Sequence, residues 1–170
     1  MLDGGRSSDV LTAPVDFFPS LCSLCGIDTP STVEGMDLAA AWRGDQDAPQ
    51  QDAVLCMNFG GRTDYFEDGN EWRGVRTARW QYTEWLDGTT ELYDRHTDPL
   101  EMHNLAADPA HADTLAQLQQ RLRQLQRVRG DQMLPGSAYE NWVDERRRIV
   151  RNAFGDLGNP EAPPPNHTTT

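Results

Sequence analysis

The segment from residue 91 to residue 109 constrains the fold of this chain more than any other. Residues 91–94 (E-L-Y-D) predict a short strand, and residues 98–101 (D-P-L-E) predict a turn, because proline fixes φ and aspartate bonds the following backbone. Residues 104–106 (N-L-A) lead towards a helix. Asp108 and Pro109 then predict its start, with the carboxylate as the cap and proline in the first turn. Strand, turn and helix in such a short span indicate a mixed α and β domain.

Four stretches have the composition and alternation of strands. They are residues 53–59, 72–77, 80–86 and 90–93. The first is mostly apolar, which predicts cover on both faces. The pair Asp87-Gly88 predicts a tight hairpin between the last two. The sequence therefore predicts an antiparallel sheet of about four strands.

Four further segments have helical features. Residues 14–25 predict a helix with Asp16 as its N-cap, Pro19 in its first turn and Gly26 as its stop. Residues 35–44 predict a short second helix or turn, and residues 139–154 a further helical segment. The clearest helix carries one apolar stripe, which favours a helix lying across the sheet over a coiled coil of about two heptads. The stripe consists of Leu115, Leu118, Leu122, Leu125 and Val128.

The composition limits the classes of partner that this chain can bind. The formal charge is −12, and all 15 basic residues are arginine. A nucleic-acid binder needs a basic face, so this class is excluded. No apolar run approaches the length of a membrane span, so we expect no membrane partner.

The cysteines and histidines do not predict a metal or redox centre. Cys22 and Cys25 form a C-x-x-C pair without a second pair, so we expect both to be buried on the apolar side of the first helix. His96 and His103 lie near acidic residues, which a turn and a helix start explain without a metal.

Four segments together resemble the C-terminal part of sulfatases. Residues 15–21 (V-D-F-F-P-S-L) are similar to the family's V-D-L-x-P-T-L-L, and residues 35–38 (G-M-D-L) to the G-x-S-L stretch that follows it. Residues 73–77 (R-G-V-R-T) resemble x-A-V-R-T, and the segment from residue 91 resembles E-L-Y-D followed by D-P-x-E and N-L. Their order over residues 9–125 gives the resemblance its specificity. Ser20, where threonine is usual, and Gln81, where lysine is common, depart from the pattern.

The resemblance implies a fold and a chemistry. The family has an alkaline-phosphatase-like α/β fold and hydrolyses sulfate esters with a formylglycine nucleophile and a calcium ion. The formylglycine comes from a C/S-x-P/A-x-R motif, which no cysteine or serine of this sequence begins. We therefore expect a C-terminal fragment that is inactive alone, with a sulfated substrate and a missing N-terminal sulfatase domain as the partners of the parent enzyme.

The resemblance also suggests a division of the chain. Residues 1–52 would end the large sulfatase domain, and residues 53–130 would form an α+β C-terminal subdomain of a sheet and a helix. Residues 131–154 would add a helical extension, and residues 155–170 a disordered tail.

The loop after the first strand is the candidate for substrate contact, since this region borders the substrate pocket in the family. Arginine can pair with sulfate, amide and carboxylate groups with hydroxyls, and tryptophan with a sugar ring. The candidates are Asn58, Arg62, Asp64, Asn70, Trp72 and Arg73. The competing interpretation is an exposed loop with solvated charges.

Two other functions remain open. A related phosphodiesterase or phosphonate hydrolase would share the architecture, and its deciding residues would lie outside this sequence. A non-catalytic module that binds an acidic sugar or a protein is the third possibility.

Overall fold

The computed structural model describes residue 5 and residues 7–58, 69–146, 148–152 and 155–157. The chain divides into two compact units, one reaching Val54 and one beginning at Leu55. No helix among the described residues is long and apolar enough to cross a membrane.

The first unit contains the two predicted N-terminal helices. A 3-10 helix at Pro14–Asp16 leads into α1 (Phe17–Cys25), and α2 spans Ala39–Trp42. Gly26 ends α1 with φ +68°, and the Ile27 N–H donates to the Cys22 carbonyl at 2.9 Å. Glycine adopts this left-handed conformation at little cost, so the predicted stop is confirmed.

Asp16 organises the first unit without capping α1. Its carboxylate is buried and accepts hydrogen bonds from the N–H groups of Ala13 at 2.7 Å and Met36 at 2.9 Å. The Gln51 side chain donates a third bond at 2.7 Å. Asp16 therefore occupies the predicted N-cap position of α1 but makes no capping hydrogen bond, because its side chain binds residues 20 and 35 positions further along the chain.

Ser20 and Gly35 allow residues 35–38, the G-M-D-L motif, to lie against α1. The Ser20 hydroxyl donates to the Asp16 carbonyl at 2.6 Å and accepts from the Leu38 N–H at 2.9 Å. Gly35 lies so close to Val15 that a Cβ there would come within 1.9 Å of the Val15 carbonyl oxygen. A side chain at residue 35 would therefore separate the two segments.

α1 buries one of its two cysteines and exposes the other. Pro19, Ser20 and Cys22 are buried, while Cys25 is exposed. The expectation of two buried thiols is thus wrong for Cys25. Five large apolar side chains around α1 are at least half exposed: Val15, Phe17, Phe18, Leu21 and Ile27. The helix buries its hydrogen-bonding side because Asp16 and Ser20 must be satisfied.

The predicted four-stranded sheet is present, in the order β1-β2-β3-β4. The strands are β1 (Ala53–Asn58), β2 (Trp72–Thr77), β3 (Trp80–Trp85) and β4 (Thr90–Asp94). The β2–β3 and β3–β4 pairs are antiparallel. Gly88 turns the β3–β4 hairpin with φ +87°, as the Asp87-Gly88 pair predicts.

The long helix α3 (Ala112–Arg129) follows a 3-10 turn at Pro109–His111. Asp108 accepts from the Ala110 N–H at 2.9 Å, so the predicted cap is confirmed. α3 packs on β2 and β3 through the buried Leu118 and Leu122. Val128 is 61% exposed, however, and Gln126 is buried in its place, because Gln126 bonds the residue just beyond the helix.

The segment between β4 and α3 lies along β4. Asn104 accepts from the Leu92 N–H at 3.0 Å and donates to the Thr90 carbonyl at 3.1 Å. The Leu105 N–H donates to the Leu92 carbonyl at 2.8 Å. Asn104 and Leu105 thus form hydrogen bonds with backbone groups that the last strand of the sheet would otherwise leave unpaired.

The predicted helix over residues 139–154 is wrong. A 3-10 helix spans Gly136–Trp142, and the two-residue strands β5 (Arg151–Asn152) and β6 (Gly155–Asp156) follow. Asp144 accepts from the N–H groups of Arg146 and Arg148, which offers the backbone an alternative to helix. The sequence predicts a disordered tail over residues 155–170, but Gly155–Asp156 form β6, and the residues from 158 onward lie outside the described residues.

We expect Gly35→Ala to lower the free energy of unfolding of the first unit by about 3 kcal/mol, because the added methyl meets backbone that cannot yield. Gly26→Ala is the control. It meets no atom within 4 Å and should cost about 1–2 kcal/mol for its positive φ. Urea denaturation followed by circular dichroism measures both. Equal losses would contradict the close approach at Gly35.

Candidate functional site

The candidate site lies where β1 ends and β2 begins. The Asn58 side chain donates to the Asn70 carbonyl at 2.8 Å, so the structure brings these two candidates together. Arg62 and Asp64 lie outside the described residues. Residues 58 and 70, which flank the candidate segment in the sequence, are therefore in contact.

Trp72 lies at the start of β2 opposite Trp85 of β3, with ring centroids 6.4 Å apart. Both side chains are half-buried. Side chains alternate along a strand, so Trp72 shares a sheet face with Gly74 and Thr83, opposite the face of Arg73. The two indoles present an aromatic surface of the kind on which a sugar ring can stack.

Arg73 is fully buried, and each of its five N–H groups has a partner. Nε and Nη2 donate to the two carboxylate oxygens of Asp131 at 2.8 and 2.9 Å. Nη2 also donates to the Tyr139 hydroxyl at 3.2 Å. Nη1 donates to the Asn58 and Trp72 carbonyls at 2.9 and 3.0 Å. These bonds leave Arg73 no donor for a substrate in this conformation.

Glu71, which the sequence does not single out, is also fully buried. Its carboxylate accepts from the Gly69 N–H at 2.7 Å and from the Gly136 N–H at 2.5 Å. Burial alone would raise the pKa of Glu71, but these two N–H groups and the Arg73 charge hold it below its ordinary value. The carboxylate therefore stays ionised and holds both segments.

Asp131 is the other ionised carboxylate of this region. Burial opposes its charge, yet the bonds and charge of Arg73 and the amide of Gln126 lower its pKa. The sequence gives no local signal for Asp131 or Tyr139, because their partner is 58 or 66 residues away.

A groove of about 400 Å³ adjoins this network. It lies between the β3–β4 hairpin and the end of α3. Its lining includes Glu84, Trp85, Arg123, Arg127, Asp131 and Met133. Arg123 is bound to Glu84 at 2.6 Å across it.

The described residues include no group of three or more His, Cys, Asp or Glu side chains that could hold a metal ion. Burial raises the pKa of Cys56, which keeps its half-buried thiol protonated.

The other motif residues hold the sheet together. Glu101 of the D-P-L-E segment lies 3.2 Å from Arg95 and 3.6 Å from Arg76, with φ +56°. Arg79 donates two bonds to Asp94, at 2.6 and 3.0 Å. These bonds, together with the His96 N–H, lower the pKa of Asp94 to about 2.

Comparison with known proteins gives consistent matches. The model of the family "N-sulphoglucosamine sulphohydrolase, C-terminal" matches residues 1–128. A Δ4,5-hexuronate-2-O-sulfatase of Bacteroides thetaiotaomicron is 36% identical over 110 residues, which cover 64% of this chain and 22% of that protein. The chain therefore spans less than a quarter of this relative.

Solved structures agree. A 2-O GAG sulfatase is 28% identical with a TM-score of 0.60, over 86% of this chain and 31% of its own. A protein solved with its substrate D-glucosamine-2-N,6-O-disulfate is 22% identical with a TM-score of 0.66, over 74% of this chain and 26% of its own. The second likeness shows a shared fold alone.

We expect Arg79→Ala to raise the pKa of Asp94 from about 2 towards its ordinary value of 3.8. Because the pKa of Asp94 is lower in the folded protein than in the unfolded chain, its ionised carboxylate stabilises the fold at any pH above the unfolded value. This contribution is lost as the pH falls from about 4 to 2. The variant should lose less stability across that interval. NMR titration of the Asp94 carboxyl carbon measures the shift. Arg148→Ala, which removes the partner of Asp144, should leave Asp94 unchanged. An unaltered Asp94 pKa in Arg79→Ala would refute the assignment.

Proposed function

This chain belongs to the N-sulphoglucosamine sulphohydrolase C-terminal family, and from that premise we propose that it is the C-terminal portion of a sulfatase acting on a sulfated carbohydrate. The family match over residues 1–128 carries the proposal. The Δ4,5-hexuronate-2-O-sulfatase matched by sequence and the 2-O GAG sulfatase matched by structure support the substrate class.

The reacting groups would be supplied by the rest of the parent enzyme. A formylglycine would provide the nucleophile, and a calcium ion would offset charge on the sulfate oxygens. The residues of this chain do not fit either group. No cysteine or serine begins C/S-x-P/A-x-R, and the described carboxylates form no ligand cluster.

The contribution of this chain would be contact with the sugar. Asn58 and Asn70 lie together at the strand ends, and Trp72 offers a half-buried indole beside Trp85. Arg62 and Asp64, between Asn58 and Asn70 in the sequence, would add a cation for sulfate and an acceptor for hydroxyls. Arg73 would act indirectly, since its donors already hold the backbone at Asn58 and Trp72.

The first unit would pack against the larger domain. Its exposed apolar side chains include Phe17, Phe18 and Leu21, each more than half exposed. Several large apolar side chains exposed on one short helix favour a contact region over a solvated face. Residues 1–52 would thus complete the large domain of the parent sulfatase.

We expect the isolated chain to hydrolyse no aryl sulfate, because the sequence lacks the nucleophile motif. The measurement is release of the aryl alcohol by the purified chain with added calcium. Sustained turnover above a no-protein blank would overturn this part of the proposal.

We expect Trp72→Ala, in the sulfatase that contains this chain, to raise KM for a sulfated disaccharide about tenfold, the loss of roughly 1.4 kcal/mol of sugar stacking. Activity on a small aryl sulfate should change less than twofold. Trp80→Ala is the matched control, since Trp80 packs on His111 with centroids 5.8 Å apart. Equal effects on both substrates would argue against sugar contact at Trp72.

The same enzyme distinguishes the related phosphohydrolases. We expect kcat/KM for a sulfate ester to exceed that for the matching phosphonate monoester. The reverse order would favour the phosphonate hydrolase alternative.

A further inference from the structure

We propose that Asp131 and Tyr139 are positioning residues, which act through Arg73 to fix Asn58, Asn70 and Trp72 in the geometry that receives the sugar. The inference rests on the proposed function, because it concerns the same site. It adds two residues that lie beyond the span of the family match, which ends at residue 128.

The first step is the orientation of Arg73. Its guanidinium is planar and rigid, so the two parallel bonds to Asp131 set both its plane and its rotation. The Tyr139 hydroxyl accepts the remaining hydrogen of Nη2. With two of the three nitrogens engaged, the direction of Nη1 is determined.

The second step is what Nη1 holds. It donates to the carbonyl of Asn58, the last residue of β1, and to that of Trp72, the first residue of β2. One nitrogen therefore joins the two strand ends that flank the candidate loop. The Asn58 side chain adds the bond to the Asn70 carbonyl.

The third step is that Asp131 is itself held. Gln126 donates to one carboxylate oxygen at 3.1 Å, and the Met133 N–H approaches the other at 3.3 Å. The Leu134 N–H donates to the Tyr139 hydroxyl at 3.2 Å. The segment after α3 is thus a fixed support for Arg73.

Glu71 gives an independent tie to the same segment. Its carboxylate binds the Gly136 N–H, so the residues before and after Trp72 are both anchored to residues 131–139. Side chains alternate along β2, and two buried neighbours on one face direct Trp72 to the other face. Removing the anchors would free the indole to turn.

Hydrogen exchange of the full 170-residue chain tests the proposal without any ligand. We expect Asp131→Asn to speed exchange of the Asn58 side-chain amide and the Asn70 and Trp72 backbone amides at least tenfold. The amides of Leu118 and Leu122, in the middle of α3, should change by a smaller factor. A purely global loss of stability would instead change all of them alike.

Tyr139→Phe provides a second variant in case the charge change prevents folding. It removes one hydroxyl and keeps the ring that packs on Trp142 with centroids 4.9 Å apart. We expect the same local pattern with a smaller amplitude. Asp144→Asn, in an exposed pair with Arg148, is the control and should leave the three amides unchanged.

In the parent sulfatase, Tyr139→Phe should raise KM for a sulfated disaccharide by a larger factor than it lowers kcat on the same substrate. Unchanged exchange at the three residues in both variants would overturn the positioning role even if Trp72→Ala weakens sugar binding. Altered exchange together with a silent Trp72→Ala would instead keep the positioning and reject the sugar contact.

Discussion

The second unit depends on the buried pair between Arg73 and Asp131. A guanidinium without exposure to water must have its charge and all its donors satisfied, or the fold pays several kcal/mol. Satisfying it requires Asp131 after α3, Tyr139 in the following 3-10 helix, and two carbonyls at the strand ends. One side chain, that of Arg73, therefore joins the sheet, the segment after the long helix and the following 3-10 helix.

The motifs that resemble sulfatases turn out to be structural. Asp16 and Ser20 accept from the backbone N–H groups of Met36 and Leu38. Asn104 accepts from one backbone N–H of β4 and donates to one of its carbonyls, and Asp94 binds Arg79. Each of these side chains supplies a hydrogen-bond or ion-pair partner to a group that would otherwise have none. The residues that carry the resemblance are thus ones that hold the backbone and the sheet of this chain in place.

The sequence predicts the strands, the hairpin, α1 and α3 well because their signals are local: alternation, Asp-Gly, Asp-Pro and a glycine stop. It fails where a distant partner decides the outcome. The Asp16 carboxylate binds the N–H group of Met36, 20 residues away, instead of an N–H group in the first turn of α1. Of the candidate site, the sequence predicts Asn58, Asn70 and Trp72 as neighbours in the chain, whereas the roles of Glu71, Asp131 and Tyr139 depend on contacts between residues more than 55 positions apart.

The position of Asn104 and Leu105 along β4 has a consequence for solubility. The last strand of an open sheet presents a template to which another polypeptide can add, the first event in many fibrils. Here the amide and carbonyl of Leu92 are already occupied, and the Thr90 carbonyl has its own donor. An incoming chain would have to displace this segment before recruiting further molecules. The Asn104 side chain and the Leu105 backbone thereby cover this edge of the sheet together.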